Sequence, residues 1–183
     1  MSSRRIVIAV VAMAVVLAAL VLVLGTSGFN GEVDTSTQVV GSPAPELVGT
    51  TTSGDDFDIV DERGKWVLVN FFATWCPPCV AEHPELVAFA SRNAETATVV
   101  SVAFDEPAEV VEEFFSTHGG DWPVVAEAGR IPIDWGVVKL PESYLVAPDG
   151  TVVDKIEGGV TADELESLIE SEQASSGTGD GDG

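Results

Sequence analysis

Residues Trp66 to Cys79 read WVLVNFFATWCPPC, and this stretch decides the fold. Trp66 to Ala73 is a continuous apolar run carrying β-branched and aromatic residues, the pattern of a central strand covered on both faces. A helix is predicted directly after it, from about Pro77 to Arg92. Cys76 and Cys79 therefore fall where a buried strand hands over to a helix. Helix N-termini carry unpaired backbone N–H groups and the positive end of the dipole. A cysteine placed there has its thiolate stabilised and becomes a nucleophile near neutral pH. Cys76, at the mouth of the helix, reads as the attacking sulfur. Cys79, one turn inward and shielded, reads as the sulfur that resolves a mixed disulfide. Pro77 and Pro78 suit a first helical turn, where their missing N–H groups matter little. Glu82 lies three residues after Cys79 on the same helical face and is the candidate base for its proton. Pro84, inside the helical pattern, is expected to kink it.

Outward from this segment, Thr98 to Phe104 reads as a second buried strand. Pro107 opens an amphipathic helix with Val110, Val111, Phe114 and Phe115 at helical spacing, stopped by His118-Gly119-Gly120. A short strand at Val124 to Ala126 and a helical turn near Ile133 to Gly136 lead to Pro141. Ser143 to Ala147 and Val152 to Ile156 flank Pro148-Asp149-Gly150 and form a hairpin. The last helix begins at Thr161, with Glu164 completing a capping box. The order predicts an α/β fold, a mixed sheet with helices on both faces. Trp66, Trp122 and Trp135 read as core, whereas Trp75 is expected to pack beside the reactive sulfur.

The ends of the chain differ from this middle. Ile6 to Leu24 is an unbroken apolar run of 19 residues, about 28 Å as a helix against roughly 30 Å of bilayer hydrocarbon. Arg4 and Arg5 precede it and the first acidic residue is Glu32. A single-pass anchor with the N-terminus in the cytoplasm and the remainder outside is expected. The alternative is a cleaved signal peptide, for which the run is long and Gly25-Thr26-Ser27 a weak cleavage site. The expected organisation is an anchor over 1–25, a linker over 26–40, a folded domain over 41–171 and a disordered acidic tail over 172–183. The whole chain carries 30 acidic and 8 basic residues, a net charge of −22. That balance excludes nucleic acid as a partner, since phosphate binding needs a basic surface. Between Gly41 and Ser171 there are 25 acidic and 6 basic side chains, so the charge belongs to the folded surface. Two cysteines are too few for a disulfide framework or a four-cysteine zinc site. No cofactor and no metal site is assigned.

The stretch Gly64 to Pro84, together with Leu140-Pro141-Glu142-Ser143-Tyr144-Leu145-Val146 and Pro148-Asp149-Gly150, resembles the membrane-anchored thioredoxin-like proteins of the TlpA/ResA/CcmG group. The likeness covers most of Gly41 to Ile169. It implies a thioredoxin-like fold with an extra strand–helix element between the second strand and the hairpin, here Phe104 to Ala126. It places Cys76 and Cys79 on the redox-active pair and Glu82 on the family's acidic residue near the dithiol. It places Pro141 on the proline that is cis and faces the dithiol, with Trp75, Pro77 and Pro78 supporting the site. Asn70 stands where ordinary thioredoxins carry a buried Asp; an amide cannot act as a base, which moves that duty toward Glu82. The resemblance implies reduction of protein disulfides outside the cytoplasmic membrane, with apocytochrome c as a client. The implied reductant is a membrane thiol carrier supplied by cytoplasmic thioredoxin.

Two other chemistries fit parts of the pattern. A thiol peroxidase is suggested by the loose likeness of Phe72 to Cys76 to that related branch. A copper or zinc carrier would use Cys76, Cys79 and His83, four residues past Cys79. Against the carrier, a histidine beside Pro84 on a surface helix is expected to be solvated, and His118 is expected to cap its helix.

Overall fold

The computed structural model of the protein describes residues 12–13 and 39–177. A five-stranded sheet in the order β5-β4-β3-β6-β7 forms its centre. Its strands are β3 (Trp66–Phe72), β4 (Ala97–Ala103), β5 (Val124–Val125), β6 (Glu142–Val146) and β7 (Val152–Glu157). β3, β4 and β5 run parallel, while β6 and β7 are antiparallel to their neighbours. Four helices accompany the sheet: α1 (Pro77–Asn93), α2 (Ala108–His118), α3 (Ile131–Asp134) and α4 (Ala162–Gly177). A small antiparallel hairpin of β1 (Val48–Thr50) and β2 (Asp56–Asp58) precedes them.

Every residue of β3 is buried, as expected for a strand covered on both faces. Its side chains alternate between two cores. Val67, Val69 and Phe71 join Leu47, Phe57, Trp135 and Tyr144 on one side. Trp66 and Leu68 meet Leu86 and Phe89 of α1 and Leu165 of α4 on the other. Phe72 continues that second side toward Val111 and Phe114 of α2. All three long helices thus serve one face, while the short α3 segment, the one-turn 3-10 helix Ile59–Glu62 and the β1–β2 hairpin serve the opposite one. Helices lie on both faces, as expected, with the long ones gathered on one. Right-handed crossovers from β3 to β4 and from β4 to β5 step outward in the same direction, which lays α1 and α2 side by side.

The hairpin and the capping box match the sequence reading closely. β6 and β7 flank Pro148-Asp149-Gly150. Thr161 N donates to Glu164 Oε2 at 2.9 Å while Glu164 N donates back to Thr161 Oγ1 at 3.3 Å. Other boundaries moved. α4 runs through Gly177, past the expected domain end at 171, so residues 172–177 belong to the helix rather than to the tail. Val39 and Val40, expected in the linker, pack partly buried against the core, where Gly41 N bonds Val152 O. α3 starts at Ile131, two residues early, because Pro132 fits a first turn. α1 continues through Pro84 as one element. Among the described residues no helix is long and apolar enough to cross a membrane. The run Ile6 to Leu24 lies outside them except for Ala12 and Met13, as does residue 178 onward.

Candidate active site

β3 ends in Phe72-Ala73, and the chain turns through Thr74 and Trp75 into α1. Cys76 is the N-cap residue of that helix, in extended conformation, with Pro77 and Pro78 in its first turn. Because both prolines lack an N–H, the first backbone donor of the helix is that of Cys79. The side chain of an N-cap residue ordinarily accepts from the second or third helical N–H. Only the third exists here, and the Cys76 side chain makes no cap hydrogen bond in this oxidised state, so what the helix offers that sulfur is the positive end of its dipole. Cys76 and Cys79 are joined in a disulfide with their Cα atoms 5.3 Å apart. Both residues are buried, at 4% and 3% exposure, so Cys76 is no more open than its partner in this oxidised state.

The turn before the dithiol is held by a residue that the sequence did not single out. Glu106, buried in the segment between β4 and α2, accepts from Thr74 N at 2.7 Å and from Thr74 Oγ1. A carboxylate next to Pro107 reads locally as a solvated helix-start charge; its burial depends on a loop 32 positions upstream. Across the site, Leu140–Pro141 is a cis peptide. Pro141 O accepts from Gly158 N at 2.9 Å, and Leu140 packs against the cluster containing both cysteines. Trp75, Cys76, Pro77, Phe104, Val138 and Leu140 line a cleft of about 350 Å³. Trp75 shares that cleft with Cys76 yet stays 65% exposed; it forms a rim rather than the packed neighbour expected. Pro78 is exposed beside it.

Behind the disulfide, Glu82 is 4% exposed and one turn below Cys79 on the buried side of α1. Its Oε1 accepts from Asn70 Nδ2 of β3 at 2.9 Å, and the same amide donates to Ser143 Oγ of β6 at 3.0 Å. Its Oε2 has no partner at hydrogen-bonding geometry. Burial is the main influence and pushes the Glu82 carboxyl up to about 7; the Asn70 amide, and to a lesser extent the Val160 backbone, pull it back toward the charged form. A carboxyl that titrates near neutrality next to a buried thiol can accept its proton and return it. Asn70, read from the sequence as unable to act as a base, thus orients the group that can.

His83 corrects the sequence reading outright. It is 4% exposed rather than solvated. Its Nε2 lies 2.8 Å from Gly119 O, and its ring is enclosed by Phe114, Phe115, His118 and Trp122. Desolvation lowers its pKa. The ring is engaged with the C-terminal end of α2, which removes it from the carrier chemistry weighed above. Among the described residues no group of three or more His, Cys, Asp or Glu could hold a metal ion. His118 does sit at its helix end, with Nδ1 2.9 Å from Phe114 O. Trp66 and Trp135 are core, and Trp122 is half-buried with Nε1 donating to Ser101 Oγ.

A buried strand delivering a vicinal dithiol to a helix N-terminus, faced by a cis-proline loop on a mixed sheet, defines a thioredoxin-fold oxidoreductase. The chain belongs to the redoxin family, which matches it over residues 39–177. It is 33% identical to the thiol-disulfide oxidoreductase ResA of Bacillus thuringiensis (strain Al Hakam) over 132 residues, 71% of this chain and 76% of that one. Against ResA of Bacillus subtilis (strain 168) it is 35% identical over 126 residues, 66% of this chain and 69% of the relative. A thiol:disulfide interchange protein of the thioredoxin family from Chlorobium tepidum matches in structure with a TM-score of 0.65 and 30% identity, covering 70% of this chain and 93% of that one. A secreted Mycobacterium tuberculosis disulfide oxidoreductase homologous to E. coli DsbE matches with a TM-score of 0.62 and 26% identity, over 68% and 95%. The protein is a thioredoxin-like thiol-disulfide oxidoreductase of the ResA/DsbE type.

Proposed function

We propose that the protein reduces disulfides in polypeptide clients outside the cytoplasmic membrane, and that its clients include apocytochromes c. The observation that carries the reading is the Cys76–Cys79 pair at the head of α1, backed by Glu82 and opening on an apolar cleft. In the dithiol form, the Cys76 thiolate attacks one sulfur of the client disulfide, and the other client sulfur leaves as a thiolate. Glu82 takes the proton of Cys79. The Cys79 thiolate then attacks Cys76 Sγ, the second client sulfur leaves, and the enzyme retains the disulfide. The two electrons have passed to the client, and a membrane thiol carrier restores the dithiol. The run Ile6 to Leu24 behind Arg4 and Arg5 supports a bilayer anchor with the catalytic domain outside. The cytochrome role follows from the likeness to the TlpA/ResA/CcmG group.

The test is trapping. Cys76→Ser abolishes disulfide reduction, whereas Cys79→Ser accumulates mixed disulfides with clients in intact cells. Precursors carrying Cys-x-x-Cys-His are expected in the trapped set. Their absence would end the maturation role and leave the dithiol chemistry standing.

A further inference from the structure

Two sides of Glu82 are closed. The joined sulfurs of Cys76 and Cys79 are buried on one, and Asn70 and Ser143 occupy the sheet side. On the remaining side the chain between β7 and α4 passes as Gly158-Gly159-Val160. A methyl built on Gly159 would lie 3.9 Å from Glu82 Oε2 and 3.8 Å from Glu82 Cβ. Gly159 is exposed, and with Val160 it walls an open cleft of about 630 Å³ between β7 and α4. Bare backbone, with the Val160 N–H near the carboxyl, therefore separates the cleft from a buried carboxyl oxygen that has no partner at full hydrogen-bonding geometry. Such an oxygen is costly to leave unpaired, and a water bridging polar groups is the usual remedy.

We propose that Gly159 is a proton gate: water from the β7–α4 cleft reaches Glu82 Oε2 over its backbone, and Glu82 exchanges its proton with solvent there rather than past the sulfurs. The proposal rests on the reading of Glu82 as the acceptor of the Cys79 proton. Once Cys79 has closed the disulfide, the neutral carboxyl sits behind two buried sulfurs, and its proton leaves to cleft water on the far side. The titratable group facing Glu82 along α1 is Cys79. Glu85, also on α1, is engaged by Ala162 N of α4. Asp154, Lys155, Asp163 and Glu164 line the outer cleft.

Gly159 has no left-handed backbone, and the space above it leaves a methyl in ordinary van der Waals contact, so Gly159→Ala folds normally and Gly159→Val covers the carboxyl more fully. The full-length protein carrying ¹³C-labelled glutamate would be titrated by infrared and NMR spectroscopy, alongside the pH profile of disulfide reduction. The Glu82 midpoint, about 7 in the parent, is expected to rise by about 0.5–1 unit in Gly159→Val and less in Gly159→Ala. Deuterium exchange at its carboxyl should slow in the same order. An unmoved midpoint in either folded variant overturns the gate. Equal slowing of turnover by Gly159→Val in the parent and in Glu82→Gln also overturns it, because Gly159 would then act on client docking. A shifted carboxyl titration with an unshifted turnover profile supports the gate and removes Glu82 from the role of base.

Discussion

Three glutamates are buried in this domain, and two of them, Glu82 and Glu142, sit in opposite surroundings. Glu82 meets an amide and, among the described residues, no cation. Glu142, directly after the cis proline, is fully buried with Lys155 Nζ 3.2 Å from its Oε2. Tyr144 OH and Val138 N also donate to that oxygen, each at 3.3 Å. Burial first, and the Glu142 charge second, push the Tyr144 hydroxyl above its ordinary range. The Glu142 cluster ties β6 and β7 to Val138, in the wall of the catalytic cleft. One carboxylate has a counter-charge and serves as a fastening. The other has none and keeps a proton that moves near neutral pH. Burial alone does not make a carboxylate chemical: Glu142 is fastened by a cation and Glu106 by two donors of Thr74, whereas Glu82 lies beside the dithiol with one side-chain donor and no cation.

Removing the cation is the most severe way to break this contrast. Lys155→Met leaves Glu142 buried without compensation and is expected to lower stability by about 3–5 kcal/mol in urea unfolding at pH 7. Adding Glu142→Gln should recover most of the loss. If Lys155→Met alone were neutral, the pair would not be a fastening. The Glu82 side is tested by pH. Its folded carboxyl titrates at about 7 against a reference of 4.5, so between these values the native state holds the extra proton and stability falls as pH rises. The stability present below pH 4.5 is lost by pH 7–8, an amount of about 3 kcal/mol. Glu82→Gln should abolish that slope, leaving the variant more stable than the parent at pH 8. Its turnover should drop by about 100-fold. A slope that persists in Glu82→Gln would assign the titration to another group.

The legible parts of this protein were local. Trp66 to Phe72 could be read as a buried strand because seven residues share one pattern, and Thr161 with Glu164 because a capping box spans four positions. The dithiol at the head of α1 followed from where strand and helix meet. β1 and β2 escaped because three residues each, set among Thr, Ser, Gly and Asp, present no periodicity. The surroundings of His83 and Glu106 escaped for a different reason. His83 is enclosed by Phe114, Phe115 and Trp122, more than thirty positions downstream, and Glu106 reaches back 32 positions to Thr74. Nothing next to either residue in sequence foretells that packing. The cis bond before Pro141 was reachable only through family likeness, because most X–Pro bonds are trans. Asn70 was legible as a buried polar residue, but its grip on Glu82 needed the distance between β3 and α1.

Asn70 supplies the next, smaller perturbation of the contrast. Asn70→Leu removes the donor to Oε1 and leaves Glu82 with neither cation nor amide, so its titration should move above 7, by roughly one unit. That shift corresponds to about 1.4 kcal/mol. It would be read as an upward displacement of the pH profile of disulfide reduction; a profile that stayed in place would mean the amide does not tune the base. The smallest effect is expected at a third carboxylate, Glu164, which is exposed and held by the Thr161 backbone N–H and, second, by its hydroxyl. These donors lower its pKa. The sign is opposite to that of Glu82: stability from Glu164 is present above the ordinary glutamate range and is lost as pH falls through the lowered value. Thr161→Ala removes the hydroxyl but keeps the N–H. It should cost about 1 kcal/mol as a lost cap and let Glu164 climb only part of the way back, as NMR titration would show. A full return would mean that the hydroxyl, not the helix-end N–H, holds the charge.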